Sequence, residues 1–160
     1  SEKEIAENMM IVDLVRNDLA RSAVIGSTKA TELFGIYSFQ QVFQMISTIE
    51  AEISSDISPQ KAIAHAFPMG SMTGAPKIRA MELIEKYENS KRGVFSGAIG
   101  YFSPQGDFDF NVVIRSIFYD ATHQKLSFQV GSAITYDAQA EEEYQECLLK
   151  AQAIRQVLAL

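Results

Sequence analysis

The chain has 160 residues, 47% hydrophobic and 21% charged, a composition typical of globular proteins and outside the disordered range. Its net charge is −6 with no basic block, so nucleic acid and anionic membrane surfaces, which call for clustered Lys and Arg, are excluded as natural partners. No apolar run approaches the roughly 18 residues of a membrane span, and the single cysteine, Cys147, excludes an internal disulfide and suits a reducing cytoplasm.

Residues 1–21 read as an amphipathic helix rather than a secretory leader. Ser1 is a candidate N-cap, Glu2 and Glu4 favour the first turn, and Ile5, Met9, Val12, Val15 and Leu19 recur at helical spacing. Short strands are predicted over 22–36 and a longer one over 41–53. Ser58-Pro59 is a helix-start signal for 60–66. A small-residue loop, 67–75, then leads into a helix over 76–87. Strands over 96–102, 108–119 and 125–130, joined by short turn-rich segments, predict an antiparallel meander, and a helix over 138–159 follows. The fold class is therefore α+β, helices packed on an antiparallel sheet, with no linker that would divide the chain.

The last helix carries the strongest local signal. Glu143, Glu146 and Lys150 share one face, along the edge of an apolar arc formed by Tyr144, Cys147, Leu148, Ala151, Ile154 and Leu158. Such a pair of carboxylates either holds a hard cation such as Mg²⁺ or forms a solvated face with an ordinary Glu146–Lys150 pair. Glu7 sits among Met10, Ile11 and Leu14, either as a third carboxylate for the same ion or at the rim of the core. Arg115 falls between Val113 and Ile117 in a predicted strand, where burial demands either a ligand carboxylate or an internal ion pair, with Asp109 a candidate. The run from Gly70 to Lys77, with Thr73 and Gly74 at its centre, enters a helix. It offers amides to an anion or serves as a tight turn, and the same two readings apply to Gly131 and Ser132. His65 and His123 have no evident chemical partner, and Cys147 reads as a small core residue.

Six ordered segments resemble the chorismate-utilising enzymes. They are Ala6-Glu7-Asn8 through Asn17-Asp18-Leu19, Phe67-Pro68 through Thr73-Gly74-Ala75-Pro76-Lys77 to Glu82, Ser96-Gly97 through Phe102, Ile114-Arg115-Ser116, Gly131-Ser132-Ala133-Ile134, and Glu143-Tyr144-Gln145-Glu146-Cys147 with Lys150. The resemblance implies that residues 1–160 are the C-terminal portion of a single chorismate-binding catalytic domain whose N-terminal half, with its nucleophilic lysine, lies upstream of Ser1. It implies Mg²⁺ held by Glu7, Glu143 and Glu146, with the helices over 1–21 and 138–159 packed so that the three converge. It further implies a substrate gripped by Arg115 and Tyr101, assisted by Gly131, Ser132 and Lys150, over a floor shaped by Thr73 and Gly74. Within the family the look of the motifs leans to the large subunits of aminodeoxychorismate synthase, which aminate chorismate with ammonia from a glutamine amidotransferase subunit. The large subunit of anthranilate synthase is the near alternative, and a non-catalytic binding or structural module is the alternative from another class. One departure stands out. Gln44 occupies a place where the family usually carries His, and it cannot exchange a proton as His does.

Overall fold

In the computed structural model, which describes residues 2–39 and 43–159, the first element is helix α1 (Glu2–Ala20). Glu2 and Glu4 place negative charge on its electropositive first turn. Its covered side runs through Asn8, Ile11, Val12, Val15 and Leu19, and Val12 and Asp18 are buried outright. Ile5 and Met9, expected on that side, are exposed. The expected cap, Ser1, lies outside the described residues.

Two units can be distinguished, Ser1–Asn89 and Ser90–Leu160. In the first, α1 packs on an antiparallel hairpin of β1 (Lys29–Ser38) and β2 (Phe43–Glu50), paired from Lys29↔Glu50 to Ser38↔Phe43. Residues 41 and 42 of the predicted strand lie outside the described residues. Of the short strands predicted over 22–36, the first reduces to a single bridge, Ala23↔Ile53. The ladder shifts register on either side of Glu32, and Phe34 takes a φ of 57°, costly for a bulky residue. The Phe34 amide donates to Ser47 Oγ at 3.0 Å, and the Ser47 hydroxyl donates to Asn8 Oδ1 at 2.6 Å. The irregular strand is thereby tied to α1.

Helix α2 (Pro59–Ala66) starts as its sequence predicts: Pro59 opens the helix and Ser58 Oγ accepts the Lys61 amide at 3.3 Å. A 3₁₀ turn, Gly70–Met72, then lies directly on α1, so close that a Cβ on Gly70 would meet Leu14 Cβ at 3.0 Å. Helix α3 (Lys77–Tyr87) follows. Its first residue is the junction of the unit. Lys77 Nζ forms an ion pair with Asp18 of α1, the two side chains 16% and 9% exposed, and also reaches Ala66 O at the end of α2, 3.5 Å away. Beside it the Arg21 guanidinium donates to His65 O at 3.1 Å, and Ser22 Oγ and His65 Nδ1 lie 2.8 Å apart.

In the second unit β3 (Ala98–Phe102) and β4 (Phe108–Val112) pair from Ala98↔Val112 to Phe102↔Phe108. Phe102, Phe108 and Phe110 cluster on one face, with ring centroids 5.3 to 6.4 Å apart. Gly100 is required there, since the Phe110 ring lies where its Cβ would be. Beyond the hairpin come β5 (Phe118–Asp120), β6 (Lys125–Ser127) and helix α4 (Ala140–Val157).

The predicted three-stranded meander is not formed; the described strands make three separate two-stranded sheets. The expected strand over 108–119 breaks in its middle. Val113 still exchanges hydrogen bonds with Ser96 and Gly97 (3.0 and 2.9 Å), but Arg115 turns to a φ of 51° and Ser116 Oγ bonds back to Ile114 O at 2.8 Å. Backbone that turns on itself in this way cannot continue a ladder. The strand expected over 125–130 likewise stops at Ser127.

Two outcomes follow from this packing. Asp18→Ala strands the Lys77 ammonium in a site that is mostly closed to water, and denaturant melts should register a loss of about 3 kcal/mol. The double variant Asp18→Leu/Lys77→Met should recover much of that loss, because the uncompensated charge is gone; additive losses would show that the pair is not the unit's electrostatic hinge. The second outcome concerns the β5–β6 turn. His123 lies 2.6 Å from the Asp120 carboxylate, and with backbone amides it holds that carboxyl below its usual range. A depressed folded-state value contributes stability above the ordinary carboxylate pKa, and the contribution is lost as pH falls through the lowered one. A carbon-13 titration of Asp120 should therefore read low, and His123→Ala should move it back up.

Candidate functional site

Helix α4 sets the geometry. Glu141, Glu142 and Glu143 occupy its first turn, where the helix dipole favours anions. Its covered side descends through Glu143, Cys147, Ala151, Ile154 and Leu158, at spacings of four, four, three and four residues. Glu143 therefore lies within the covered stripe, 4% exposed, and not at its edge as the helical wheel placed it. Tyr144 and Leu148, assigned to the apolar arc, are instead exposed. Carboxylates are almost never fully buried unless satisfied, so burial sets Glu143 apart from the exposed Glu141, Glu142 and Glu146.

One turn on, Glu146 Oε1 lies 2.5 Å from Lys150 Nζ. Lys150 Nζ also donates to Gly131 O at 2.9 Å, from a loop 19 residues earlier in the chain. Lys150 thus links two other residues singled out in the sequence, Glu146 and Gly131, with Glu143 one turn away on the same helix and Ser132 half-buried beside Gly131. No atom lies within 4 Å of where a Gly131 Cβ would point, so the loop faces open space.

Arg115 is placed differently from expectation. It is exposed and follows the last paired residue of the β4 side, so burial imposes no need for a partner. It has no ion pair among the described residues; Asp109, the candidate internal partner, sits in β4 opposite Tyr101. Tyr101 is 64% exposed on the face of the hairpin away from the phenylalanine cluster. Both side chains are open to an incoming molecule.

The remaining candidates belong to the first unit. Thr73 Oγ1 donates to Met69 O and Gly70 O, at 3.1 and 3.4 Å, and so fixes the 3₁₀ turn; Gly74 follows it, half-buried. Glu7 is half-buried on α1 with Lys3 Nζ 4.0 Å away. Gln44 is exposed in β2, its amide turned to the neighbouring Met45 O at 3.4 Å. Sequence reasoning missed the partners of His65 and of Lys77. Each meets its partner across more than 40 residues, with no local pattern to mark it.

No group of three or more His, Cys, Asp or Glu side chains among the described residues is arranged to hold a metal. Glu143 and Glu146 of α4 nevertheless have the donor chemistry that suits Mg²⁺. That ion takes oxygen donors and is commonly held by one or two carboxylates, with water and substrate oxygens completing its shell. An open groove of about 540 Å³ runs along another side of α4, lined by Gln145, Leu148, Leu149, Gln152, Arg155 and Gln156, and includes none of these charged residues. No described helix is long and apolar enough to cross a membrane.

The profile of a family described as chorismate binding enzyme matches residues 1–156. The chain is 44% identical over 163 aligned residues to an aminodeoxychorismate synthase of Streptomyces pristinaespiralis, covering 99% of this chain and 22% of that one. It is 41% identical to anthranilate synthase component 1 of Cereibacter sphaeroides, covering 96% and 30% respectively. Among solved structures, anthranilate synthase component I from Streptococcus pneumoniae superposes with a TM-score of 0.82 at 36% identity, over 95% of this chain and 34% of that one. The chain thus spans between about a fifth and a third of the length of these relatives.

Because the Glu146 and Lys150 side chains are 44% and 36% exposed, their pair is a weak stabiliser. Glu146→Gln and Lys150→Met should each shift unfolding free energy by less than about 1 kcal/mol. Denaturant melts check this; a loss several times larger would make the contact a structural one.

Proposed function

Because the chain belongs to the chorismate binding enzyme family, we propose that it is the portion of an aminodeoxychorismate synthase that holds Mg²⁺ and the carboxylates of chorismate. The observation that carries this reading is that Lys150 joins Glu146 to the Gly131 loop, one helical turn from a buried Glu143. Glu143 and Glu146 would hold the ion. When bound, Mg²⁺ supplies charge stabilisation for the ring carboxylate and eases departure of the C4 hydroxyl.

This chain's own residues do the rest. Arg115, exposed and without an ion pair among the described residues, offers a two-pronged donor to the enolpyruvyl carboxylate. Tyr101 presents its hydroxyl from the exposed face of β3. Gly131 and Ser132 present backbone amides, and Lys150 places a positive charge beside them. These groups orient a doubly charged substrate, and orientation is itself worth orders of magnitude in rate. The amine enters as ammonia from a separate glutamine amidotransferase subunit. The reaction then amounts to replacement of the C4 hydroxyl by an amino group, giving 4-amino-4-deoxychorismate. Formation of anthranilate is the second reading, favoured by the similarity to anthranilate synthases at 41% and 36% identity. Gln44 weighs against it, since pyruvate elimination calls for a proton transfer that an amide cannot make.

The natural full-length protein, supplied with chorismate, Mg²⁺ and ammonium, should yield aminodeoxychorismate by chromatography. Glutamine should serve as amine donor only when the second subunit is added. Glu143→Gln and Arg115→Ala should each lower turnover on the order of 100-fold, and residues 1–160 alone should give none. Anthranilate as product would transfer the assignment to the second reading. Wild-type turnover by Glu143→Gln would overturn the site.

A further inference from the structure

Lys150 is the residue whose contacts exceed what its position on a helix provides. A Glu followed four residues later by a Lys makes an ordinary surface pair, freely exchanging with water. Here the ammonium is held from a second side, by Gly131 O at 2.9 Å, and so is confined against the Glu146 carboxylate. That carboxylate, with Glu143 one turn earlier, is the pair assigned above to Mg²⁺. An ammonium 2.5 Å from Glu146 Oε1 competes with an incoming cation for that carboxylate.

We propose that Lys150 is a built-in counter-cation for Glu146, and that divalent metal binds at Glu146 by displacing it. The inference rests on the metal reading given under the proposed function. Without metal, the lysine offsets the charge of the Glu146 carboxylate. When metal binds the Glu146 carboxylate, the ammonium and the divalent ion repel each other, since like charges a few ångströms apart repel even in water. Lys150 then leaves Glu146. Its side chain is 36% exposed, so the movement carries little desolvation cost. Gly131 O keeps the released ammonium near this loop, where the space around a Gly131 Cβ is open and it can meet a carboxylate of the substrate. Metal and substrate anion are thereby coupled through one side chain: the first frees the charge that the second uses.

The test is titration of the natural full-length protein with Mg²⁺ by calorimetry, in the absence of substrate. Lys150→Met should bind Mg²⁺ about three- to tenfold more tightly than the unaltered protein, because its competitor is gone. Lys150→Arg, which keeps the charge, should stay close to the unaltered protein. Glu146→Gln should bind at least about tenfold more weakly. A nitrogen-15 spectrum should also show the Lys150 ammonium signal shifting as Mg²⁺ is added. If Lys150→Met binds no more tightly while Glu146→Gln still loses affinity, the exchange is overturned and the metal site stands. If Glu146→Gln binds like the unaltered protein, the metal reading fails and the exchange with it. Circular dichroism of each variant separates loss of fold from loss of binding.

Discussion

The first unit depends on one buried ion pair. Asp18 lies near the end of α1 and Lys77 opens α3, with 58 residues of hairpin, bridge, helix and turn between them. Burying either charge alone would be severely unfavourable, so each side chain makes the other's position acceptable. The pair therefore fixes where α3 begins. Because Lys77 also reaches Ala66 O, it fixes the end of α2 as well. Arg21 and Ser22 repeat the arrangement one turn on, holding the His65 carbonyl and ring. A buried ion pair is weak evidence for extra stability, since a well-packed apolar substitute can equal it. Its use here is registration: only one arrangement of three helices satisfies both charges.

The second unit solves a similar problem on α4 by different means. Its covered stripe begins with a carboxylate, Glu143, and continues through small or aliphatic residues to Leu158. Ala151 and Ile154 anchor the helix by burial, which sets its rotation about its own axis. That rotation brings Glu146 and Lys150 toward the Gly131 loop and leaves Leu149 and Val157 outside. The chemical residues are thus positioned by apolar neighbours three and four places away, the spacing at which helical side chains share a face.

How much of this could be read in the sequence depended on the range of the interaction. Local signals were legible. Ser58-Pro59 marked a helix start that the structure reproduces, and the turn-rich segment between Phe102 and Phe108 marked a hairpin. The Glu146–Lys150 pair could be read because its spacing is itself the geometry, whereas the burial of Glu143 within the covered stripe could not. What depended on backbone detail was not legible. Alternation from Phe108 to Tyr119 looks continuous, yet the positive φ at Arg115 breaks it, and nothing about an arginine announces that conformation. The argument that a mid-strand Arg must be paired then falls away, because the side chain is exposed. The ladder irregularity at Phe34 was hidden for the same reason, since its supports, Ser47 and Asn8, are distant in sequence. Pairings such as Asp18 with Lys77 leave no periodic trace at all.

The contrast between the two lysines shows how burial assigns a role to a charge. Lys77 is largely closed off and its partner more so; moving it would leave a carboxylate without compensation, and the pair behaves as framework. Lys150 makes comparable contacts with an acid and a carbonyl, but both ends of its ion pair are more than a third exposed. Water can replace either partner at small cost. The same two interactions therefore give a fixed joint in one place and an exchangeable one in the other. The site proposed for a cation and a doubly charged anion would require the second kind. Charge held rigidly would have to be displaced against its full desolvation cost, whereas charge held at the surface can be traded one partner at a time.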